Sequence, residues 1–273
     1  MPSAFSFATL DNRLIIQARL VMDSALHIGS GEESGSVDAG IVLDRDGHPY
    51  IPGSSLKGVL RSEAERAAAL LGQTGCGLFS SNGVNCLTTD DDSAQRFRSD
   101  IRKARGLTPG LHAQIEQELC DTCKLFGSQF AASRLQIDDL PMIDADNFVI
   151  ESRDGVGIDR DTGTAAQHIK YDFHVVPAGA EFTVRIQAEN LDARSRALLA
   201  FVILELNRGS YSLGGKRSRG LGRCHLVRLQ IQEFDFSKPE ALLVYLSAKS
   251  SNLNEDGSLA FLKDSVKKGL THA

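Results

Sequence analysis

The period of the apolar positions changes repeatedly along the chain, and each change marks an element. Residues 13–22 (RLIIQARLVM) carry β-branched and apolar side chains in partial alternation, which predicts a strand with a buried face. A short apolar run, Ile41, Val42 and Leu43, ends in the turn pair Asp46-Gly47. From Ser54 the spacing turns helical: Leu56, Val59, Leu60, Ala64, Ala67, Ala68 and Leu71 form one stripe, Gly72 stops it, and Ser54 and Ser55 are cap candidates. Strand patterns return at 134–137 and 148–152. Residues 171–188 alternate in two segments joined by Pro177, Ala178, Gly179 and Ala180, as in a hairpin or a bent strand. Asp192 is placed to cap a second helix whose stripe is Ala197, Leu198, Phe201, Val202, Leu204 and Leu206, with Gly209 past its end. Residues 224–234 alternate again, and further helices are expected at 239–248 and 259–268.

The resulting order, βαββαβ, predicts an α+β fold: a ferredoxin-like (RRM-like) sheet with two helices on one face, built by residues 1–273 as one domain. Two stretches interrupt it. Residues 73–123 have few long apolar runs but hold four of the five cysteines, and read as an insertion. Residues 153–170 are polar and rich in Gly, Asp and Thr, too long for a tight turn and without a core of their own, and are expected to project.

Composition narrows the class. At 273 residues, 42% hydrophobic and 24% charged, the chain has enough material for a sizeable core. No apolar run approaches the roughly 20 residues of a membrane-spanning helix, and Met1 to Leu10 lack a basic end followed by an apolar stretch, so a cytoplasmic location and no membrane partner are expected. The net charge of −5 argues against a body that coats nucleic acid over its whole surface. Charge is uneven, however: Lys216, Arg217, Arg219, Arg223 and Arg228 cluster, while acids gather at Asp90, Asp91 and Asp92 and at Asp138, Asp139, Asp144 and Asp146. Any nucleic acid has to be held by a local basic track, the alternative being a solvated charged loop.

The cysteines suggest metal. Cys120 and Cys123, two residues apart, can present both sulfurs to one ion from a tight turn, and Cys76 and Cys86 can complete a tetrahedral site. A structural zinc is therefore expected, against the alternatives of buried free thiols or a disulfide, the latter disfavoured in a cytoplasmic chain. His112 is a reserve ligand, and Cys224, in a strand pattern, is assigned to the core. The sequence has no His-x-Glu, the proton-shuttling motif of zinc-dependent nucleobase deaminases, so the metal is expected to staple the insertion rather than react.

Three passages carry a family resemblance. Residues 50–61 (YIPGSSLKGVLR), 125–128 (LFGS) and 213–222 (LGGKRSRGLG) resemble, in this order, signatures of RAMP-superfamily proteins, specifically the Csm/Cmr-type backbone subunits of type III CRISPR effector complexes. The chemistry suits RNA. Ser54 and Ser55 begin a helix whose free amides favour phosphate, Lys57 and Arg61 share one face, and a glycine-rich loop brings backbone and the cations Lys216, Arg217 and Arg219 close to a nucleic-acid strand. A well-capped core helix is the plainer alternative for the first passage.

The resemblance further implies partners and an activity. Such subunits line up along a CRISPR guide RNA with copies of themselves and other effector subunits, and a thumb wedges into the duplex with single-stranded target RNA; residues 153–170 lie in the matching place. Residues 35–42 (GSVDAGIV) resemble the loop carrying the catalytic aspartate, which puts Asp38 in that role with Mg or Mn, as a metal-dependent endoribonuclease acting on target RNA. Glu32, Glu33 and Asp44 are neighbouring acids that compete for it. The alternatives are a non-catalytic backbone or capping subunit, and an endoribonuclease that processes precursor CRISPR RNA.

Overall fold

The computed structural model describes residues 9–29, 39–77, 86–158, 160–161, 163–247 and 253–271. Its core is a four-stranded antiparallel sheet made of β1 (Asn12–Met22), β3 (Leu135–Ile137), β7 (Glu181–Glu189) and β8 (Cys224–Asp235), ordered β3-β7-β1-β8. The first and third of these strands occupy the centre. β1 and β3 run parallel with β7 between them, joined through α1 (Gly53–Ala67), and β7 reaches β8 through α5 (Ala193–Asn207). This is the ferredoxin-like arrangement expected from βαββαβ.

Alternation explains which side is covered. Leu14, Ile16, Ala18, Leu20 and Met22 of β1 meet Phe182, Val184, Ile186 and Ala188 of β7 on one face, under Leu56, Leu60 and Ala64 of α1 and the wholly apolar underside of α5. Each fully buried Leu, Ile or Phe contributes roughly 1.5–3 kcal/mol. The opposite face carries Arg13, Gln17, Arg19, Thr183, Arg185 and Gln187 and stays bare over most of its length. At one end α6 (Pro239–Leu246) crosses it, where Tyr245 packs against Phe234 and Phe236. The last helix, α7 (Glu255–Thr271), packs on α5. Gly269 is the point of close approach: a Cβ there would overlap the Ala197 side chain.

Several expectations need correcting. The apolar run at 41–43 makes isolated bridges, Ile41 to Gly29 and Leu43 to Pro49, closed by the Asp44–His48 turn. Small pairs β2 (Tyr50–Ile51) and β4 (Leu140–Pro141) were not anticipated. Residues 153–170, expected to project, are regularly paired. They are the larger part of a two-stranded ribbon, β5 (Glu151–Ile158) against β6 (Ala165–Val175), separate from the main sheet. Over residues 151–157 its backbone pairing needs no buried face, so no alternation marks them in the sequence. β6 and β7 do not pair; the chain bends at 176–180, which makes the bent strand the correct alternative.

Residues 73–123 also gain structure. They form α2 (Asp91–Ala104), α3 (Pro109–Glu118) and the start of α4 (Asp121–Phe126), packed over Leu87, Phe97, Ile115 and Leu119. Asp90 caps α2 by accepting from the amides of Asp92 and Ser93, and Thr108 caps α3 ahead of Pro109.

Candidate nucleic-acid interface and sulfur cluster

The glycine-rich loop, residues 213–222, is held at both ends by backbone. The Leu213 amide donates to the Gly222 carbonyl at 2.9 Å, Gly222 to Ala25 at 2.9 Å, and Gly215 to His27 at 2.8 Å. Gly214 (φ 77°) and Gly222 (φ 84°) occupy the left-handed region, and a Cβ on either would overlap the carbonyl oxygen of His27 or of Leu213. Close approach is thus used on the protein's own chain at these two positions; only Gly220 (φ 87°) faces open space.

The loop's cations meet the ribbon. Lys216, itself at φ 57°, places Nζ 4.8 Å from the ring centre of Tyr171 and 4.4 Å from that of Phe173. Arg219 lies over Tyr171 at 5.8 Å and donates to its hydroxyl. Both contacts are cation–π in character, held by the negative face of the ring. Arg217, by contrast, is exposed with no partner among the described residues.

His27 ties this cluster together and was missed from sequence, where nothing sets it apart. Its Nδ1 lies 2.8 Å from the His174 carbonyl, which makes that nitrogen the donor, and its ring meets Phe173 edge-on at 5.6 Å. Ala39 pairs with Phe173, and its carbonyl accepts from the His174 amide at 3.0 Å. The residue following Asp38 is therefore anchored at the ribbon's foot, beside Lys216. Asp38 itself, with Glu32 and Glu33, lies outside the described residues. Asp44 does not join the cluster: it accepts from the amides of Asp46 and His48, the latter holding its carboxyl below the usual range.

The first helix differs most from expectation. Its cap is Pro52, not Ser54 or Ser55, and no side chain of its own accepts there. The carboxylate of Asp139 serves instead, receiving the Gly53 amide at 2.7 Å, so an anion already stands where a phosphate was expected. Ser54 is exposed and Ser55 half-buried in the first turn. Asp139→Ala is expected to lower stability by about 1 kcal/mol in urea unfolding, through the unpaired amide and lost dipole partner.

Lys57 donates to the Leu135 carbonyl at 3.3 Å, and burial, then the nearby Arg61 charge, lowers its pKa. Arg61 turns inward. Its guanidinium meets Glu65 at 2.9 Å, the Gly127 carbonyl at 2.8 Å and the Cys123 sulfur at 3.2 Å, and its side chain is 12% exposed. Burial opposes its charge, but the Glu65 and Cys123 contacts outweigh this and the pKa rises. Two of the resemblance passages, 50–61 and 125–128, thus meet at the Arg61 guanidinium, which also reaches the sulfur of Cys123.

That sulfur belongs to a quartet. Cys76, Cys86, Cys120 and Cys123 are all buried, with their sulfurs within 4.8 Å of one another. Cys123 Sγ lies 3.6 Å from Cys76 Sγ and 3.9 Å from Cys86 Sγ. A regular tetrahedron with Zn–S bonds of about 2.3 Å has edges of about 3.8 Å, so the spacing is compatible with a structural zinc. No disulfide joins any of the four: all are free cysteines, and the two distances above are well beyond the S–S bond length of about 2.05 Å. Contacts with Cys120 raise Cys76 and Cys123 and lower Cys86, while Cys120, held by Cys123, falls to about 6. Thr88 and Arg61 add donors to the Cys123 sulfur. His112 is not in the quartet; Cys224 is fully buried in β8 as expected.

These features define an α+β protein with a ferredoxin-like sheet, a basic glycine-rich loop and a cysteine quartet. The RAMP superfamily model matches residues 19–225, more than half of the chain, and the protein belongs to that superfamily. No curated protein matches it. Membership is consistent with a CRISPR-associated RNA-binding subunit, in a family that includes some RNA endonucleases. No helix among the described residues is long and apolar enough to cross a membrane.

Proposed function

We propose that this chain is a guide-RNA-binding backbone subunit of a type III CRISPR effector complex, cytoplasmic, assembled with other effector subunits and copies of itself, and that it cuts bound target RNA. One observation carries the reading: the cations of the glycine-rich loop, the foot of the β5–β6 ribbon and the anchor of the Asp38 segment converge at one place through Lys216, Phe173 and Ala39. The RNA contacts assigned to this reading are Lys216, Arg217 and Arg219 of the loop and, as a separate group, Ser54, Ser55 and Lys57 at the start of α1; Arg61 is reassigned to holding the sulfur quartet. The ribbon serves as the thumb. The four cysteines hold zinc, which keeps the α2–α4 insertion on α1.

In the cleavage step the 2′-oxygen of target RNA forms a bond to the adjacent phosphorus as the bond to the 5′-oxygen breaks. The products are a cyclic phosphate and a 5′-hydroxyl, the proton passing from the 2′-hydroxyl to the leaving oxygen by way of solvent. Asp38 orients the 2′-hydroxyl or holds a Mg or Mn ion, which when bound would neutralise the phosphate. In the reconstituted complex, Asp38→Ala is expected to slow target cleavage by about a hundredfold or more while RNA affinity holds. Unchanged cleavage makes the chain a structural or capping subunit; trimming of precursor RNA by the isolated chain favours a processing enzyme.

A further inference from the structure

The bare face of the main sheet treats its arginines unequally. Arg13, Arg19 and Arg185 are neutralised in place, by Glu189 at 2.6 Å, Glu181 at 2.9 Å and Asp138 at 3.0 Å. Arg223 and Arg228 are exposed and have no side-chain partner among the described residues, and neither does Arg217 at the loop. Along the chain Arg217 lies within the loop, Arg223 just beyond it and Arg228 five residues further on in β8. Arg223 follows Gly222 directly out of the glycine-rich loop, where it bridges Ser212, and the chain runs from it into β8.

Arg228 is there because the strand is irregular. The β1–β8 register shifts between Gln17 and Arg19, a bulge that sets an extra residue on β8 opposite Ala18. Arg228 takes φ 54°, the one non-glycine residue inside a described strand in the left-handed region. In regular alternation the position after Val227 would turn to the core; the bulge keeps Arg228 exposed and leaves Leu229 to be buried. Beside it a shallow groove is lined by the donors Gln17, Arg19, Thr183 and Gln230 together with Ala18 and Ile143. Strain kept for the sake of an unpaired cation points to a ligand for that cation.

We propose that Arg223 and Arg228 extend the RNA contact of the glycine-rich loop along β8 onto the open sheet face, gripping the phosphate backbone of a single strand. The proposal rests on the RNA-binding reading above and adds a second stretch of path to it. The chemistry favours phosphate over a protein partner: no large apolar side chain is exposed on β1, β7 or β8, whereas a protein interface needs an apolar centre. It also favours sequence-independent contact. The aromatic residues of these strands, Phe182 and Phe234, are buried, so no base-stacking platform is offered.

The test uses the full chain and fluorescein-labelled single-stranded RNA of mixed sequence, titrated over a range of KCl concentrations. Arg228→Gly removes the guanidinium and suits φ 54°, so its melting temperature is expected to hold or rise. Combined with Arg223→Ala, it is expected to weaken RNA binding roughly tenfold and to reduce the salt slope by about 1.4, two single-strand phosphate contacts. Lys216→Ala with Arg219→Ala is the companion variant. Loss of binding there, with affinity and slope unchanged in the Arg223/Arg228 variant, overturns the strip and leaves the RNA-binding reading standing; a strip that serves an acidic protein surface produces that same result. No change in either variant overturns both.

Discussion

Cys123→Ser is expected to leave the purified protein with less than about half an equivalent of zinc, against about one in the unaltered chain. Of the four sulfurs this one has the most neighbours: Cys76 and Cys86 as co-ligands, Thr88 at 3.3 Å and Arg61 at 3.2 Å as donors. The insertion's core is small, and its buried members include the four cysteines themselves. Structural zinc in comparable thiolate sites contributes on the order of 10 kcal/mol of folding free energy, about as much as the burial of Leu87, Phe97, Ile115 and Leu119 together, so its loss removes about half of what holds the insertion. Removing one ligand should therefore unfold α2 and α3 before the main sheet, seen as an earlier, separate thermal transition and rapid proteolysis within residues 86–120. Arg61 loses its sulfur partner in the same stroke, so α1 is expected to loosen. Less than about half an equivalent of zinc in the unaltered chain would remove the site altogether.

Gly222→Ala should abolish RNA binding and destabilise the fold by about 3 kcal/mol or more, the sum of a left-handed alanine and a steric overlap. Its Cβ would fall on the Leu213 carbonyl oxygen, while its own amide and carbonyl hold Ala25 and Leu213. The loop cannot shift to make room without releasing one of those hydrogen bonds, and Lys216 and Arg219 move with it. Gly220→Ala is the control. Its φ of 87° is equally left-handed, but nothing lies within 4 Å of the new methyl, so a cost of about 1 kcal/mol and nearly full RNA affinity are expected. Urea unfolding and RNA titration on both variants separate loop geometry from backbone strain. Equal effects at the two positions would show that the close approach at Leu213 does not matter.

The contrast between these two glycines shows where sequence reading stops. LGGKRSRGLG announces a sharply turned basic loop, but nothing in it separates Gly222, pressed against Leu213, from Gly220, which faces solvent. The same holds for YIPGSSLKGVLR. Its helix is legible from Leu56, Leu60 and Ala64, yet the cap is supplied by Asp139, 86 residues away from Gly53, and Arg61 is claimed by a sulfur 62 residues on. The ribbon was only partly legible: residues 171–175 alternate and bury Phe173 and Val175, whereas residues 151–157 are exposed or half-buried and carry no apolar period.

From the residues alone came the strands β1 and β8, the helices α1 and α5, their βαββαβ order and the grouping of four cysteines. These are local or periodic properties: one buried face imposes a repeat, a cap needs an acid three residues away, and a paired-cysteine turn needs only two sulfurs close in sequence. Tertiary structure decided the partners. It turned Arg61 inward, put Asp139 at a helix end, brought Ala39, Phe173 and Lys216 together, and left Arg223 and Arg228 exposed without a side-chain partner among the described residues. Each of those depends on a contact between segments distant along the chain, whose energy is set by distance and burial in three dimensions, and no local pattern of residue types encodes it.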